Sequence, residues 1–270
     1  MTWFRKRRPI EHKAGLAASS QVAFMHLPKT GGTSVLAALR ERLPADAVET
    51  IAYGVADDPD NLDLVALRTK ALLHGHFSAR WVGLFDRATL IAVCLRDPLE
   101  TTRSFYKYFL AHKPTELSGR QAYLRKVAEK GFKHYLQQWR IERSSQYYIH
   151  FLDPLYFFPP GMGAVALTGA HLEKSIARAL RFLDRCDMVG TSDDLSGFTG
   201  AILTALGHDS TGLVVERRNV SVELAKESPD RFLDVPAFEE DDEEIRQLLV
   251  EVNQPAMRIY QHALDLKGAA

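Results

Sequence analysis

The sequence predicts an α/β fold in which helices cover both faces of a mainly parallel sheet. The first indication is a continuous apolar run, Val22 to Met25, that leads into turn-forming residues. The second is the run from Ala88 to Leu95, which ends at an Arg-Asp-Pro sequence. Continuous apolar runs of this length, each followed by residues with helical spacing, are typical of buried parallel strands that alternate with helices. With 270 residues, the chain is long enough to bury a sizeable core.

Composition narrows the range of partners and compartments. The 34 basic residues balance 34 acidic ones, so we expect no general affinity for nucleic acid. The two cysteines, Cys94 and Cys186, stand in apolar runs and predict reduced thiols. No apolar stretch reaches membrane-spanning length and no signal-peptide pattern is present, so we expect a cytoplasmic protein without a transmembrane segment. We expect residues 1–20 to form a flexible tail and residues 21–270 to form a single domain.

A loop rich in hydrogen-bond donors connects the first predicted strand to the first helix. It reads His-Leu-Pro-Lys-Thr-Gly-Gly-Thr-Ser over residues 26–34. Glycines let backbone N–H groups approach a ligand, and the N-terminus of the following helix adds unsatisfied donors and a positive dipole end. The residues expected to bind an anion are Lys29, Thr30, Gly31, Gly32, Thr33 and Ser34. The pattern therefore predicts a phosphate-type site.

This loop departs from the P-loop of nucleoside triphosphate-binding proteins. That motif, G-x-x-x-x-G-K-[ST], places Lys immediately before the hydroxyl residue. Here Gly32 stands before Thr33, His26 stands where the first glycine would be, and Lys29 precedes the glycines. The order H-x-P-K-T-G-G-T-S resembles the 5′-phosphosulfate-binding loop of sulfotransferases that use 3′-phosphoadenosine-5′-phosphosulfate (PAPS), in the branch of the heparan and chondroitin sulfotransferases and their bacterial relatives. The resemblance implies a P-loop-like fold with PAPS as sulfuryl donor.

A His-Gly-His-Phe sequence follows another expected strand, at residues 74–77. Because side chains alternate along a strand, His74 and His76 are expected to project to the same face. A metal site would need further ligands, and none is indicated nearby. Two structural histidines held by hydrogen bonds are the other alternative. The same sulfotransferases carry an H-G-H-F sequence, and the resemblance implies that His76 is the general base.

The Arg-Asp-Pro sequence at residues 96–98 is expected to start a helix directly after a central strand. Asp97 suits the N-cap and Pro98 suits the first turn. Ser104 lies about two turns further on, so Arg96 and Ser104 are expected to converge on one phosphate group. The pattern R-D-P-x-E-x-x-x-S-x-Y resembles the 3′-phosphate-binding segment of the same sulfotransferases. The basic pair Arg217 and Arg218 is a further candidate for contact with the nucleotide.

The remaining elements are expected from periodicity and capping signals. They are a short helix over 62–69, a strand leading into residue 74, one helix over 119–150, helices over 171–184, 195–206 and 239–266, and a strand over 186–190. The aromatic residues between 111 and 160 are expected to pack in the core, with an acceptor groove as the alternative.

Together the motifs predict a sulfotransferase that moves a sulfuryl group from PAPS to a hydroxyl acceptor, a carbohydrate or glycan. In this scheme His76 takes the acceptor proton, and Lys29 with the loop N–H groups stabilises charge on the leaving phosphate oxygen. No metal is expected, since these donors supply the positive field. Two alternatives stay open at this stage: a P-loop-type nucleotide kinase and a non-catalytic nucleotide-binding module.

Overall fold

The computed structural model describes residues 21–51, 63–85, 88–156, 166–216, 226, 228–234 and 242–268. Within these ranges, five parallel strands form one sheet in the order β2-β3-β1-β4-β5. The strands are β1 (Val22–Met25), β2 (Val48–Ile51), β3 (Leu72–Gly75), β4 (Leu90–Leu95) and β5 (Met188–Thr191). The predicted α/β class with a mainly parallel sheet is confirmed.

The helices connect the strands and cover both faces of the sheet. They are α1 (Gly32–Arg40), α2 (Leu64–Leu67), α3 (Pro98–Ala111), α4 (Gly119–Ala128), α5 (Phe132–Ile141), α6 (Tyr147–Leu152), α7 (Gly169–Leu183), α8 (Leu195–Ala205) and α9 (Glu243–Gly268). Alternate side chains of the strands enter two separate cores, because strand side chains point to opposite faces in turn. Phe24 packs with α1 and α8 on one face, whereas Met25 packs with α6, α7 and α9 on the other.

A third apolar cluster lies beside the sheet and fixes the position of α3. It joins α3 to α4, α5 and α9, with Tyr135 and Trp139 among its most buried side chains. A buried polar contact adds to it, since the Thr102 hydroxyl donates to Asn253 Oδ1 over 2.9 Å. The helix that follows β4 is therefore held by extensive packing, which matters because α3 carries the predicted site residue Ser104.

The prediction of one helix over 119–150 was wrong. The structure has α4, α5 and α6 in this segment. The first break lies at Gly131, whose φ of 99° is outside the helical range. The second lies at Glu142, which has an extended backbone before a short 3₁₀ turn over 143–146. Each of the three helices turns an apolar face to a core, α4 and α5 to the third cluster and α6 to the sheet, so apolar residues recur through both breaks and periodicity gave no sign of them.

Other expectations are confirmed to within a few residues, including the helices at α2, α7 and α8 and the strands at β3 and β5. The short edge strand β2 was not predicted, because only one of its four residues is buried. Two predicted features lie outside the described residues: the tail over 1–20 and the pair Arg217 and Arg218. Cys94 and Cys186 are both free, although only Cys94 is fully buried. Among the described helices, none combines the length and apolar character needed to cross a membrane.

Candidate functional site

The predicted site residues follow three neighbouring central strands and meet at one edge of the sheet. The anion loop over 26–34 follows β1, the His-Gly-His sequence ends β3, and Arg96 follows β4. Strands β3 and β4 both pair with β1 in parallel, so these three strand ends are adjacent. In an open parallel sheet, the crevice at the carboxyl ends of such strands is the usual position of a ligand.

The loop after β1 holds two residues in the left-handed backbone region. Lys29 has φ of 67° and Gly31 has φ of 90°. A non-glycine residue in this region stores on the order of 1–3 kcal/mol of strain and persists only where its surroundings impose it. Gly31 is the N-cap of α1 and no side chain caps the first turn. The first N–H groups of α1 are therefore directed toward the crevice without a side-chain acceptor, as an anion site requires.

The two glycines are required by close packing. A Cβ atom on Gly32 would stand 2.0 Å from Cδ2 of the His26 ring, and one on Gly31 would stand 2.9 Å from a Leu195 methyl group. The His26 ring therefore occupies the space beside α1 that a side chain at Gly32 would fill. The loop, the first turn of α1 and the start of α8 form one closely packed unit.

The hydroxyl residues of the loop differ in what they can offer a ligand. The Thr30 side chain is fully buried and donates to Leu27 O over 2.8 Å, so its hydroxyl shapes the loop and only its backbone is left for an anion. Thr33 is exposed on the first turn of α1. Ser34 is buried, and its N–H donates to Gly31 O over 3.0 Å.

The Lys29 ammonium is partly buried and lies over the ring of Tyr108 on α3, 4.3 Å from the ring centroid. Within the part of the chain that the structure describes, no carboxylate lies within ion-pair distance of it. Burial, with a smaller contribution from the Arg96 charge, lowers the pKa of Lys29 from 10.5 to about 8. A buried ammonium that lacks an acidic partner gains solvation from a bound anion, so this position favours an anionic ligand.

Three histidine rings pack against one another beside the loop. The His26 ring centroid lies 4.4 Å from that of His76 and 5.0 Å from that of His74. His76 Nδ1 lies 2.6 Å from His26 O. A carbonyl oxygen only accepts hydrogen bonds, so Nδ1 carries the proton, and in the neutral ring the lone pair is on Nε2. The expectation that His74 and His76 share a face is confirmed by their common contact with His26.

All three rings are held in the neutral form at pH 7. Burial is the largest cause in each case, and the neighbouring histidines add to it at His26 and His74. The pKa of His26 falls to about 2 and that of His74 to about 4. The pKa of His76 is also lowered by burial, although its bond to His26 O opposes the change. His76 therefore has the protonation state that a general base needs at neutral pH.

Arg96 is fixed through its backbone and reaches the anion loop with its side chain. Its N–H donates to the Tyr148 hydroxyl over 2.8 Å, and that hydroxyl donates in turn to Arg96 O. Arg96 Nη1 donates to Lys29 O over 3.3 Å, and Nη2 lies 3.6 Å from Glu100 Oε2. The guanidinium is thus beside the loop and only weakly paired.

Helix α3 begins as predicted and brings Ser104 toward the same region. Asp97 caps it by accepting from Leu99 N and Glu100 N over 2.8 and 3.0 Å, and Pro98 occupies the first turn. Ser104 is half-buried and lies one helical turn before Tyr108, on the same face of α3. Tyr108 on that face contacts Lys29, so Ser104 lies on the side of α3 that is turned toward the anion loop.

Sequence reasoning missed two aromatic residues at the site. Tyr108 lies under Lys29, and its spacing of four residues from Ser104 is the only sequence signal that indicates this position. Tyr148 is fully buried and holds Arg96, but it is more than 50 residues away along the chain. Of the aromatic residues in the region 111–156, most are buried in the core, as expected. Tyr123, with 45% of its surface exposed, is the exception among those described there.

The side chains gathered at the strand ends are neutral histidines and the cations Lys29 and Arg96. Across the described ranges, no group of three or more His, Cys, Asp or Glu side chains is arranged to hold a metal ion. The three histidine rings lie against one another at tilts of 31° and 40°, and His76 Nδ1 is used by a backbone carbonyl.

Comparisons with models of known protein families and with curated proteins find no match to this chain. The function is therefore inferred from the geometry of the crevice together with the motifs that form it.

The buried histidines predict an acid-dependent loss of stability. The unfolded chain protonates His74 near pH 6.5, whereas the folded protein resists protonation down to about pH 4. The contribution of neutral His74 to the free energy of unfolding is thus complete above pH 6.5 and is lost as the pH falls toward 4. This contribution amounts to up to about 3 kcal/mol. We expect His74→Leu to flatten the pH dependence of the free energy of unfolding over this range, measured by urea denaturation.

The exposed His171 on α7 provides the control, since His171→Ala should leave the wild-type pH dependence unchanged. Equal slopes for wild type and His74→Leu between pH 6.5 and 4 would contradict the assignment of a neutral, buried His74.

Proposed function

We propose that this protein is a PAPS-dependent sulfotransferase that transfers a sulfuryl group to a hydroxyl of a carbohydrate or glycan acceptor. The observation that carries the proposal is the Lys29 ammonium, which lies at a glycine loop without an acidic partner among the described residues and adjoins a neutral histidine cluster. We place the reaction in the cytoplasm, which the two free cysteines support.

The donors of the crevice fit a ligand that carries anionic groups at two separated positions. The first N–H groups of α1, the Lys29 ammonium and the left-handed backbone at Gly31 suit a 5′-phosphosulfate group. Arg96 and Ser104, on the β4–α3 side of the same crevice, suit a 3′-phosphate group. PAPS carries both groups and supplies the sulfuryl group when it is bound.

The residues of the chain then have separate tasks. His76 accepts the acceptor hydroxyl proton on Nε2, because Nδ1 is already protonated and held by His26 O. Lys29 and the loop N–H groups stabilise the negative charge that develops on the phosphate oxygen as its bond to sulfur breaks. The acceptor oxygen forms the new bond to sulfur, and the products are a sulfate ester and adenosine 3′,5′-bisphosphate.

Support for a carbohydrate acceptor comes from the resemblance of the three motifs. An acceptor groove lined by the aromatic residues of this region was the alternative to core packing. Trp139 and Tyr148 are both almost completely buried, so they pack in the core. The acceptor therefore has to be found by experiment, whereas the nucleotide can be tested directly.

A panel of nucleotides tests the proposal by thermal denaturation. Adenosine 3′,5′-bisphosphate should raise the melting temperature, because a ligand that binds only the folded state stabilises it by about 2.7 kcal/mol at a concentration of 100 Kd. For a protein of this size, that corresponds to a rise of roughly 5 °C or more. AMP, ADP and ATP with Mg²⁺ should produce smaller rises at the same concentration.

The panel also separates the alternatives. Stabilisation by ATP with Mg²⁺ but not by the bisphosphate would overturn the proposal in favour of a nucleotide kinase. Binding of intact PAPS without transfer to any of a broad set of hydroxyl acceptors would favour a non-catalytic nucleotide-binding module.

Arg96→Ala should reduce the affinity for adenosine 3′,5′-bisphosphate far more than the affinity for AMP. The loss should be on the order of 2–4 kcal/mol for the bisphosphate, because a charged acceptor group loses a forked donor. Isothermal titration calorimetry with both nucleotides measures the difference. Arg103→Ala is the matched control, since Arg103 also pairs with Glu100, at 3.0 Å, but is not expected to face the ligand. Equal losses for both nucleotides would show that Arg96 supports the loop through Lys29 O instead.

His76→Asn should separate chemistry from binding. The Asn side-chain amide can still donate to His26 O, but it cannot act as a base. Bisphosphate affinity should therefore stay near wild type, and the transfer rate should fall by ~10²–10⁴-fold. On the acid side of neutrality, the wild-type rate should fall only below pH 6.5, since burial lowers the pKa of His76.

Lys29→Ala is the comparison for that experiment, because it should weaken nucleotide binding and slow transfer together. The measurements are calorimetry with the bisphosphate and transfer from labelled PAPS. Undiminished turnover by His76→Asn would refute His76 as the base, and His74 would be tested next.

A further inference from the structure

The ring beneath the Lys29 ammonium is itself held in place from several sides. Tyr108 lies near the C-terminal end of α3, with its ring centroid 4.0 Å from that of His112 and 5.5 Å from that of Phe109. His112 Nδ1 donates to Tyr108 O over 2.7 Å. The segment over 228–234 packs against this end of the helix, since Leu233 N donates to Ala111 O. The ring is therefore a fixed surface for the ammonium and not a mobile neighbour.

The charged groups nearest the ammonium and the ring are mostly cations, and the titratable groups between them are neutral histidines. Arg96 acts on Lys29, and Lys29 acts in turn on His26 and His112. Arg231 acts on Tyr108 and His112. Two acidic groups among the described residues act on this set: Glu116 pairs with Arg231 over 2.9 Å, and Glu100 Oε2 lies 3.6 Å from Arg96 Nη2. Repulsion from these neighbours would move an unheld lysine side chain away from the crevice.

An aromatic ring can hold a cation without cancelling its charge. A carboxylate would hold Lys29 more strongly, but the pair would be neutral overall and would attract a phosphate or sulfate group only weakly. The face of a Tyr ring attracts an ammonium through its quadrupole and carries no net charge. The field of the lysine then stays available to a ligand.

We propose that Tyr108 is a positioning residue whose ring face holds the Lys29 ammonium at the anion loop while leaving its positive charge for an anionic group of the ligand. Because Tyr108 and Ser104 lie one turn apart on α3, the same contact ties the loop to the helix that carries the second anion site. The effect on nucleotide affinity rests on the function proposed above, whereas the position of the ammonium does not.

The position of the ammonium is tested in the ligand-free protein by NMR. Protons above a ring face are shifted upfield by the ring current, so the Lys29 ε-methylene signal of the wild type, assigned with Lys29→Arg, should stand apart from those of exposed lysines. Tyr108→Leu should return a signal typical of an exposed lysine, and Tyr108→Phe should keep the shifted one. An unshifted Lys29 signal in the wild type would overturn the proposal whatever the protein binds.

The consequence for binding is tested by calorimetry with adenosine 3′,5′-bisphosphate across pH 6–10. Tyr108→Leu should lower the affinity at pH 7 by about 2- to 30-fold, the range of a cation–π contact, and Tyr108→Phe should retain most of it. The ring favours the charged amine, so the affinity of Tyr108→Leu should also begin to fall at a lower pH than that of the wild type, whose Lys29 has a pKa of about 8. A purely structural role would weaken binding without moving this pH profile.

One control variant and two further outcomes keep the interpretations distinct. Tyr123→Leu changes an exposed tyrosine on α4 and should leave the NMR signal, the affinity and its pH profile unchanged. A wild type that shows the shifted Lys29 signal but binds no bisphosphate would refute the proposed function and leave the positioning role standing. Loss of affinity in Tyr108→Phe as large as in Tyr108→Leu would assign the effect to the phenol hydroxyl and overturn the inference.

Discussion

The positive charge of Lys29, held at the carboxyl edge of the sheet without a carboxylate partner among the described residues, is the constraint on which the rest of the site depends. The backbone at Lys29 is left-handed and strained, and the side chain is partly buried with Arg96 close by. Each of these features costs stability in the absence of a ligand. They persist because β1 and α1 fix the two ends of the loop and Tyr108 on α3 contacts the Lys29 side chain. Local features that lower the stability of the folded protein are typical of binding and catalytic sites.

The histidine cluster links the Lys29 charge to His76, the proposed base. His26 touches both parts of the crevice: its ring fills the space left by Gly32, and its carbonyl oxygen fixes the tautomer of His76. A backbone carbonyl in the loop thereby does for His76 what a carboxylate does for the histidine of a hydrolase triad, without adding negative charge near the anion site. Movement of the loop and orientation of the base are consequently coupled, because both depend on His26.

Helix α3 contributes to both proposed anion positions because of how it starts. Asp97 caps its first turn and Pro98 fixes its direction, so Arg96 is held at the exact point where β4 ends. Tyr148 secures the same residue by bonding to both its N–H and its C=O groups. The face of α3 that follows carries Ser104 and then Tyr108, whose ring contacts Lys29. A buried tyrosine from α6, distant in sequence, is thus required to keep a motif residue in position.

The sequence by itself determined the α/β class, the glycine loop, the capped start of α3 and the shared face of His74 and His76, because each depends on local periodicity, capping or turn chemistry. Local signals are short in range, and they did not reveal the breaks at Gly131 and Glu142 or the edge strand β2, whose residues are mostly exposed. Only the tertiary structure decided that Tyr108 lies under Lys29, that Tyr148 holds Arg96, and that the Thr30 hydroxyl is used within the loop. These contacts join residues whose distance in space depends on how separate elements pack, and no pattern along the chain records that distance.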